Sequence, residues 1–382
     1  MLAPLNTAHT DDEVEDEIMS GDAHENGYLA IDADGHVIEP QECFREYLPA
    51  AFHERALGLV ADAQGVRRFV FDGVEEPPFP REISIRKPIR ADQRVAMLDK
   101  ERIGSAVLFP SGGLIAAYAA GGELGRALTV AYNNWIADYV AAHRDRLYFV
   151  APLPLEDISW AAGEARRAVK LGARAVVIRP NLPPGQTWDD PRYEALYACV
   201  QDLGVPLIFH ESTGDPHTAA GDRYGMRNPA RYCFNHIISH SFEQMFAAMS
   251  VICGGVLERF PRLRVGFFEA GCSWVPYWLS RFDHHFGHPK LRPQMPIRLK
   301  PSEYFQRQCF VTCDPDDETL PLAVAGLGAD YILFATDFPH FDSAGGSVRA
   351  FLESHQLGEK DRRKILWENA ARLYGIKMPV AA

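Results

Sequence analysis

Ile31-Asp32-Ala33-Asp34-Gly35-His36-Val37-Ile38-Glu39-Pro40 is the stretch from which the fold can be read. An apolar run from Tyr28 to Ile31 leads into it, and three acids, one histidine and one proline then fall within nine residues. On a strand, side chains alternate between faces, so Asp34 and His36 point the same way. Two such side chains at the end of a buried strand are half of a site for a hard or borderline cation. The other half has to come from the ends of later apolar runs.

A chain of 382 residues can form one large α/β barrel or two smaller domains. With 47% hydrophobic and 24% charged residues it has the composition of a globular enzyme. A formal net charge of −12 argues against nucleic acid as partner. Much of that acidity sits in Asp11-Asp12-Glu13-Val14-Glu15-Asp16-Glu17, within an acidic N-terminal arm expected over residues 1–27. No run approaches the ~18 apolar residues of a membrane span, and the N-terminus lacks the basic start and apolar core of a secretory signal. Seven cysteines are scattered without a Cys-x-x-Cys pair, so free thiols in a reducing cytoplasm are expected.

Beyond the first strand, residues 37–104 are too long for an ordinary loop and read as an insertion forming a lid or subdomain, with a strand at Arg67–Phe71 closed by Asp72-Gly73. From Arg94 onward, helices and short apolar strands alternate. The strands are expected at 105–110, 147–153, 173–179, 205–210, 264–269, 309–312 and 331–337. Helices are expected at 94–103, 123–143, 159–171, 191–203, 242–259, 274–284, 318–327 and 360–374. Continuous apolar strands are those of a parallel sheet buried on both faces. Eight such units predict a (β/α)8 TIM barrel over residues 28–376, with a C-terminal tail at 377–382. Function would then lie at the carboxyl ends of the strands. A doubly wound sheet is the structural alternative.

Those ends are polar. Strand one ends in Asp34 and His36, strand four in Arg179 and strand five in His210. Strand six ends in Glu269, strand seven in Asp314, and strand eight in Asp337 followed by His340. A lone histidine or aspartate after a strand is commonly a packing or capping residue. The joint pattern instead points to a metal bound by Asp34, His36, His210 and Asp337. Arg179 is a candidate clamp for a substrate carboxylate, since guanidinium pairs with it bidentately. Trp274, with Tyr277 and Trp278, could wall an apolar pocket. His236 and His240 would share a face if helical. Glu39 reads as a turn anchor, or as a bridging ligand if a second ion is present.

The chain resembles the amidohydrolase superfamily, in its decarboxylase-rich branch typified by aminocarboxymuconate semialdehyde and γ-resorcylate decarboxylases. The resemblance is carried by residues 31–40, Pro206-Leu207-Ile208-Phe209-His210, Val256-Leu257-Glu258-Arg259-Phe260-Pro261 and Phe268-Glu269-Ala270-Gly271. It continues in Ala335-Thr336-Asp337-Phe338-Pro339-His340 and Trp367-Glu368-Asn369-Ala370-Ala371-Arg372-Leu373-Tyr374. It implies a divalent metal, zinc or manganese, on Asp34, His36, His210 and Asp337. It also makes Asp337 the candidate proton donor to the carbon that loses carbon dioxide, with Glu269 or His340 supplying or relaying the proton. Two positions depart from the pattern. Strand one carries Asp-x-His where the superfamily often has His-x-His. Glu269 stands where the semialdehyde decarboxylase has a catalytic histidine.

The resulting expectation is a metal-dependent decarboxylase, or a C–C or C–N hydrolase, acting on a small carboxylate, aromatic or not, in a homo- or hetero-oligomer of barrel subunits. One alternative is a dinuclear iron or manganese oxygenase on the same fold. Another is a structural partner subunit.

Overall fold

Eight short strands hydrogen-bond side by side, all parallel, in their order along the chain. In the computed structural model the described residues are 30–56, 58–63, 67–75, 87–119, 121–183, 185–211, 232–341, 343, 347–354 and 356–377. The barrel strands are β1 (Ala30–Val37), β5 (Ile103–Pro110), β6 (Leu147–Pro152), β7 (Ala175–Ile178), β8 (Leu207–His210), β9 (Val265–Phe268), β10 (Cys309–Cys313) and β11 (Ile332–Phe334). Strands β2 (Gly58–Ala61), β3 (Arg67–Phe71) and β4 (Val74–Glu75) form a separate antiparallel sheet within the expected insertion. The arm 1–27 and most of the tail 377–382 lie outside the described residues.

Strand alternation divides the core in two. Ile31, Val107, Val150, Val177, Ile208, Phe268, Phe310 and Leu333 form one buried cluster. Their neighbours Ala106, Leu108, Phe149, Val176, Phe209, Phe267, Val311 and Phe334 belong to another that also takes in the surrounding helices. A nearly closed ring of strands with a filled interior produces this division.

No ladder joins β11 to β1. The gap is bridged by the Asp337 N–H donating to the Asp34 carbonyl at 3.0 Å and the His36 N–H donating to the Phe338 carbonyl at 2.7 Å. Two segments distant in sequence are thus held edge to edge where polar side chains cluster.

Three sequence expectations are corrected. The helix expected from Phe242 begins at Tyr232 and runs to Cys253, with Val256–Arg259 as a separate turn. Its first turns are rich in aromatic, β-branched and histidine residues, which favour a helix weakly, but tertiary contacts override this. Gln244, fully buried, donates from Nε2 to the carbonyls of both Phe209 and Phe268 at 2.9 Å and fixes the helix across the ends of β8 and β9. The last strand stops at Phe334, so Asp337 stands on a loop. The final helix is not uniform: Lys364–Glu368 widens to a π-turn before Asn369, whose amide donates to the carbonyls of Ala329 and Ile332 at 2.7 Å.

Candidate metal centre

Asp34 and His36 share a face of β1, as period-two alternation requires. The His36 Nε2 lies 3.6 Å from Asp34 Oδ1, and the His210 Nε2 approaches the same oxygen to 3.3 Å. Asp337 Oδ1 stands 3.3 Å from His36 Nε2. Asp34, His36 and His210 thus bring their ligand atoms to one point, with Asp337 beside His36.

Asp34, His36 and His210 are each no more than 2% exposed. Asp34 Oδ1, His36 Nε2 and His210 Nε2 are buried without a hydrogen-bond partner. Leaving a buried polar atom unsatisfied costs about 1–3 kcal/mol, and three together at bonding distance of a common centre fit a divalent cation. The outer ring nitrogens support this. His36 Nδ1 lies 3.2 Å from the Pro110 carbonyl and His210 Nδ1 2.7 Å from the Glu211 carbonyl. A carbonyl only accepts, so each Nδ1 carries the proton and each Nε2 turns its lone pair inward, the arrangement of metal-ligating histidines.

The electrostatics point the same way. Burial, reinforced by the charge of Asp32, pushes the Asp34 carboxyl well above the usual carboxylate range. Burial, with His340 and His210 adding to it, drives His36 well below the ordinary imidazole value. Burial thus favours the protonated form of Asp34, with which a cation must compete. Binding of Mn2+ is expected to release protons, with affinity falling as acidity rises. Calorimetric titration in two buffers of different ionisation heat checks this; equal heats in both would contradict it.

Asp32 plays a different part. Strict alternation would send it to the face of Asp34 and His36, but the β1–β5 register shifts between Asp32 and Gly35. Asp32 is fully buried and binds the loop instead. Its Oδ1 accepts from the Thr336 N–H at 2.9 Å and its Oδ2 from the Thr336 hydroxyl at 2.7 Å. Buried Arg94 lies 3.5 Å from the same carboxylate, donates to the Phe338 carbonyl at 3.0 Å and stacks over the Phe338 ring at 4.7 Å. Asp337, between Thr336 and Phe338, is fixed from both sides. Gly35 is required here, because a Cβ would collide with Asp32 Oδ2 and Arg94 Nη2. An acid inside an apolar strand was the sequence signal for Asp32; nothing in the sequence pointed to Arg94 as its partner.

Glu269 follows β9 with φ +58°. Its carboxylate lies 3.3 Å from His210 Nδ1, 3.6 Å from His340 Nδ1 and 3.8 Å from His240 Nε2. Burial raises its pKa above the usual carboxylate value although His210 opposes this. His340 Nδ1 is 2.7 Å from Asp337 Oδ1, its Nε2 is 2.9 Å from Ser111 Oγ, and its ring lies 4.0 Å from that of His36. Burial works against a charge on His340, yet Asp337 and then Glu269 hold its pKa well above the ordinary value. His236 and His240 do share a helix, with ring centroids 4.3 Å apart. Among the described residues, two groups have the spacing to hold an ion: Asp34, His36 and His210, and His36, Glu269, Asp337 and His340.

Glu39 is an anchor. Its carboxylate accepts from the backbone N–H groups of Ser111, Gly112 and Gly113 at 3.1, 2.9 and 2.9 Å, at the start of the helix Gly112–Ala119. Arg179 follows β7 and is buried; its Nη2 is 3.9 Å from Glu211 Oε1. A cavity of about 550 Å³ opens over Asp34, Glu269 and Asp337, with Trp274, His236 and His240 on its wall. Among the described residues, Trp274 lines this cavity and Arg179 does not.

A nearly closed ring of parallel strands with a histidine–carboxylate cluster at its carboxyl mouth defines a metal-dependent barrel enzyme. The amidohydrolase family profile matches residues 31–376, and the chain belongs to that family. Among curated relatives, a γ-resorcylate decarboxylase from Polaromonas sp. is 27% identical over 292 residues, covering 74% of this chain and 86% of that protein. Among solved structures, an amidohydrolase from Mycobacterium avium subsp. paratuberculosis K-10 shares the fold with a TM-score of 0.76 at 22% identity, over 91% of this chain and 99% of that one. A dihydroxybenzoic acid decarboxylase from Polaromonas sp., solved with manganese and the inhibitor 2-nitroresorcinol, aligns with a TM-score of 0.66 at 22% identity, over 91% and 96% of the chains. The barrel and the superfamily branch read from the sequence both stand, whereas the oxygenase alternative finds no support among these relatives. No helix among the described residues is long and apolar enough to cross a membrane.

Proposed function

We propose that this chain is a divalent-metal-dependent decarboxylase of a small aromatic carboxylate. The observation that carries the reading is the trio of buried, unsatisfied donor atoms on Asp34, His36 and His210, opposed by Asp337 at the floor of an open cavity. The curated γ-resorcylate decarboxylase supports the reaction class. A cavity of about 550 Å³ suits a single substituted ring.

Asp34, His36, His210 and Asp337 would hold the cation. When bound, it supplies a positive charge that polarises a substrate oxygen. The residues of the chain do the rest. Trp274 walls the cavity and excludes water from one side of the ring. In the reaction the bond from ring carbon to carboxylate breaks, its electron pair stays on the carbon, and one proton takes the place of the departing carbon dioxide. Asp337 is the donor the geometry favours. His340, hydrogen-bonded through its far nitrogen to Ser111, sits 2.7 Å behind Asp337 and can restore its proton. Glu269, whose pKa burial raises, is a second acid on the same wall, in the place where the semialdehyde decarboxylase carries histidine. Arg179 is engaged with Glu211 rather than the cavity, so we assign it no contact with substrate.

We further place the enzyme in a reducing cytoplasm, which its seven free cysteines support, and in an oligomer of barrels. The test of the reaction is direct. Protein loaded with Mn2+ should carry one ion per chain and release carbon dioxide from a hydroxybenzoate panel that includes 2,6-dihydroxybenzoate. A chain that binds Mn2+ but releases none from any hydroxylated benzoate would overturn the decarboxylase reading and favour hydrolysis.

A further inference from the structure

Arg94 belongs to the helix Ala91–Lys100, which precedes β5 and carries none of the candidate metal ligands. Its side chain is nonetheless buried, at 2% exposure, in the seam between the loop after β11 and β1. The helix that delivers it is held at both ends. The Tyr139 hydroxyl donates to the Ile89 carbonyl at 2.9 Å, just before its first turn, and Arg146 Nη2 donates to Asp99 Oδ1 at 2.6 Å in its last.

Stability alone accounts poorly for this arrangement. Taking a guanidinium and a carboxylate out of water is costly, and a single contact at 3.5 Å between Arg94 and Asp32 offsets little of it. An apolar pair of the same volume would serve a core as well. The remaining contacts of Arg94 converge on Asp337. Arg94 Nη1 donates to the Phe338 carbonyl at 3.0 Å, and the same oxygen accepts from the His36 N–H at 2.7 Å. One atom therefore joins a donor residue on β1 to the residue that follows Asp337. The guanidinium also covers the Phe338 ring at 4.7 Å, while its partner Asp32 holds Thr336 on the other side of Asp337.

We propose that Arg94 is a positioning residue of the metal centre: it sets Asp337 against the cation held by Asp34, His36 and His210 while touching neither cation nor substrate. The inference rests on the place given to Asp337 above. The role calls for arginine, whose planar fork donates along its edge while its face lies on a ring; the ammonium of lysine is a point charge that cannot do both. Displacing a reactive group by a fraction of an ångström is enough to lower a rate, so a remote support can govern it.

Arg94→Lys separates position from charge. It keeps a cation beside Asp32, so circular dichroism should match the wild type. Mn2+ affinity, titrated by electron paramagnetic resonance, should fall ~10–100-fold, the range found for groups that orient a ligand. That loss should not add to the loss from Asp337→Asn. Arg94→Lys/Asp337→Asn should bind Mn2+ within about twofold of Asp337→Asn alone, because residues that act through one another are coupled. Turnover should show a lower kcat at little-changed KM. Should Arg94→Lys misfold, Arg94→Met/Asp32→Asn, which leaves no unpaired charge, takes its place in the same cycle. Wild-type Mn2+ affinity in the folded variant, losses that multiply across the cycle, or a defect confined to KM would each overturn the proposal. So would a chain that folds with neither substitution, since Arg94 would then serve the fold as a whole. The titration uses Mn2+ alone, so a chain that binds Mn2+ but releases no carbon dioxide would sink the proposed reaction and leave this result standing.

Discussion

Asp337→Asn is expected to give a folded, metal-containing chain that turns over at least ~10³-fold more slowly. Asparagine keeps the shape and tolerates the positive φ at this position. The backbone bond to the Asp34 carbonyl survives, and so do the Thr336 and Phe338 anchors on either side. What goes is the carboxyl that can carry a proton to carbon, for which losses of ~10²–10⁴ are usual, together with one charge on the cation. Steady-state rates of carbon dioxide release, read beside metal content and far-ultraviolet circular dichroism, decide the matter. Turnover within tenfold of wild type would remove Asp337 from the chemistry and leave Glu269 as the acid. A Glu269→Gln variant would then show the larger loss.

His36→Ala should act one step earlier, on the cation itself. His36 Nε2 lies 3.6 Å from Asp34 Oδ1 and 3.3 Å from Asp337 Oδ1, and its ring lies 4.0 Å from that of His340. Removing it takes away the one nitrogen close to both carboxylates. Outer-shell partners of a metal typically change affinity ~10–100-fold, and deletion of a central donor should exceed that, weakening Mn2+ by more than ~10²-fold. Mn2+ titration followed by electron paramagnetic resonance reads this independently of any substrate. Unaltered affinity would show that the ion sits elsewhere.

How far the sequence anticipated this arrangement depends on the kind of signal each residue leaves. The barrel strands were legible because parallel strands buried on both faces must be continuously apolar. Asp34, His36, His210 and Asp337 stood out because each interrupts or follows such a run at the same end. Arg94 gave no such signal. It lies in an amphipathic helix, where an arginine is ordinarily solvated, and only the fold shows it reaching over to the Phe338 carbonyl. The start of the helix Tyr232–Cys253 was hidden for a similar reason: in its first turns Tyr232 and His236 lie against the ring of Phe341, a contact that local propensity cannot register. Arg179, also legible at a strand end, is buried with its Nη2 3.9 Å from Glu211 Oε1.

Glu269 and Asp337, the two acids nearest the proposed chemistry, both have a left-handed backbone, at φ +58° and +51°. Such a conformation costs a non-glycine residue on the order of 1–3 kcal/mol. Selection for a hardier protein would therefore favour glycine at these positions and, in doing so, delete the reactive groups. Laboratory evolution toward heat resistance, run without a screen for turnover, should drift toward an inert barrel through these two codons first.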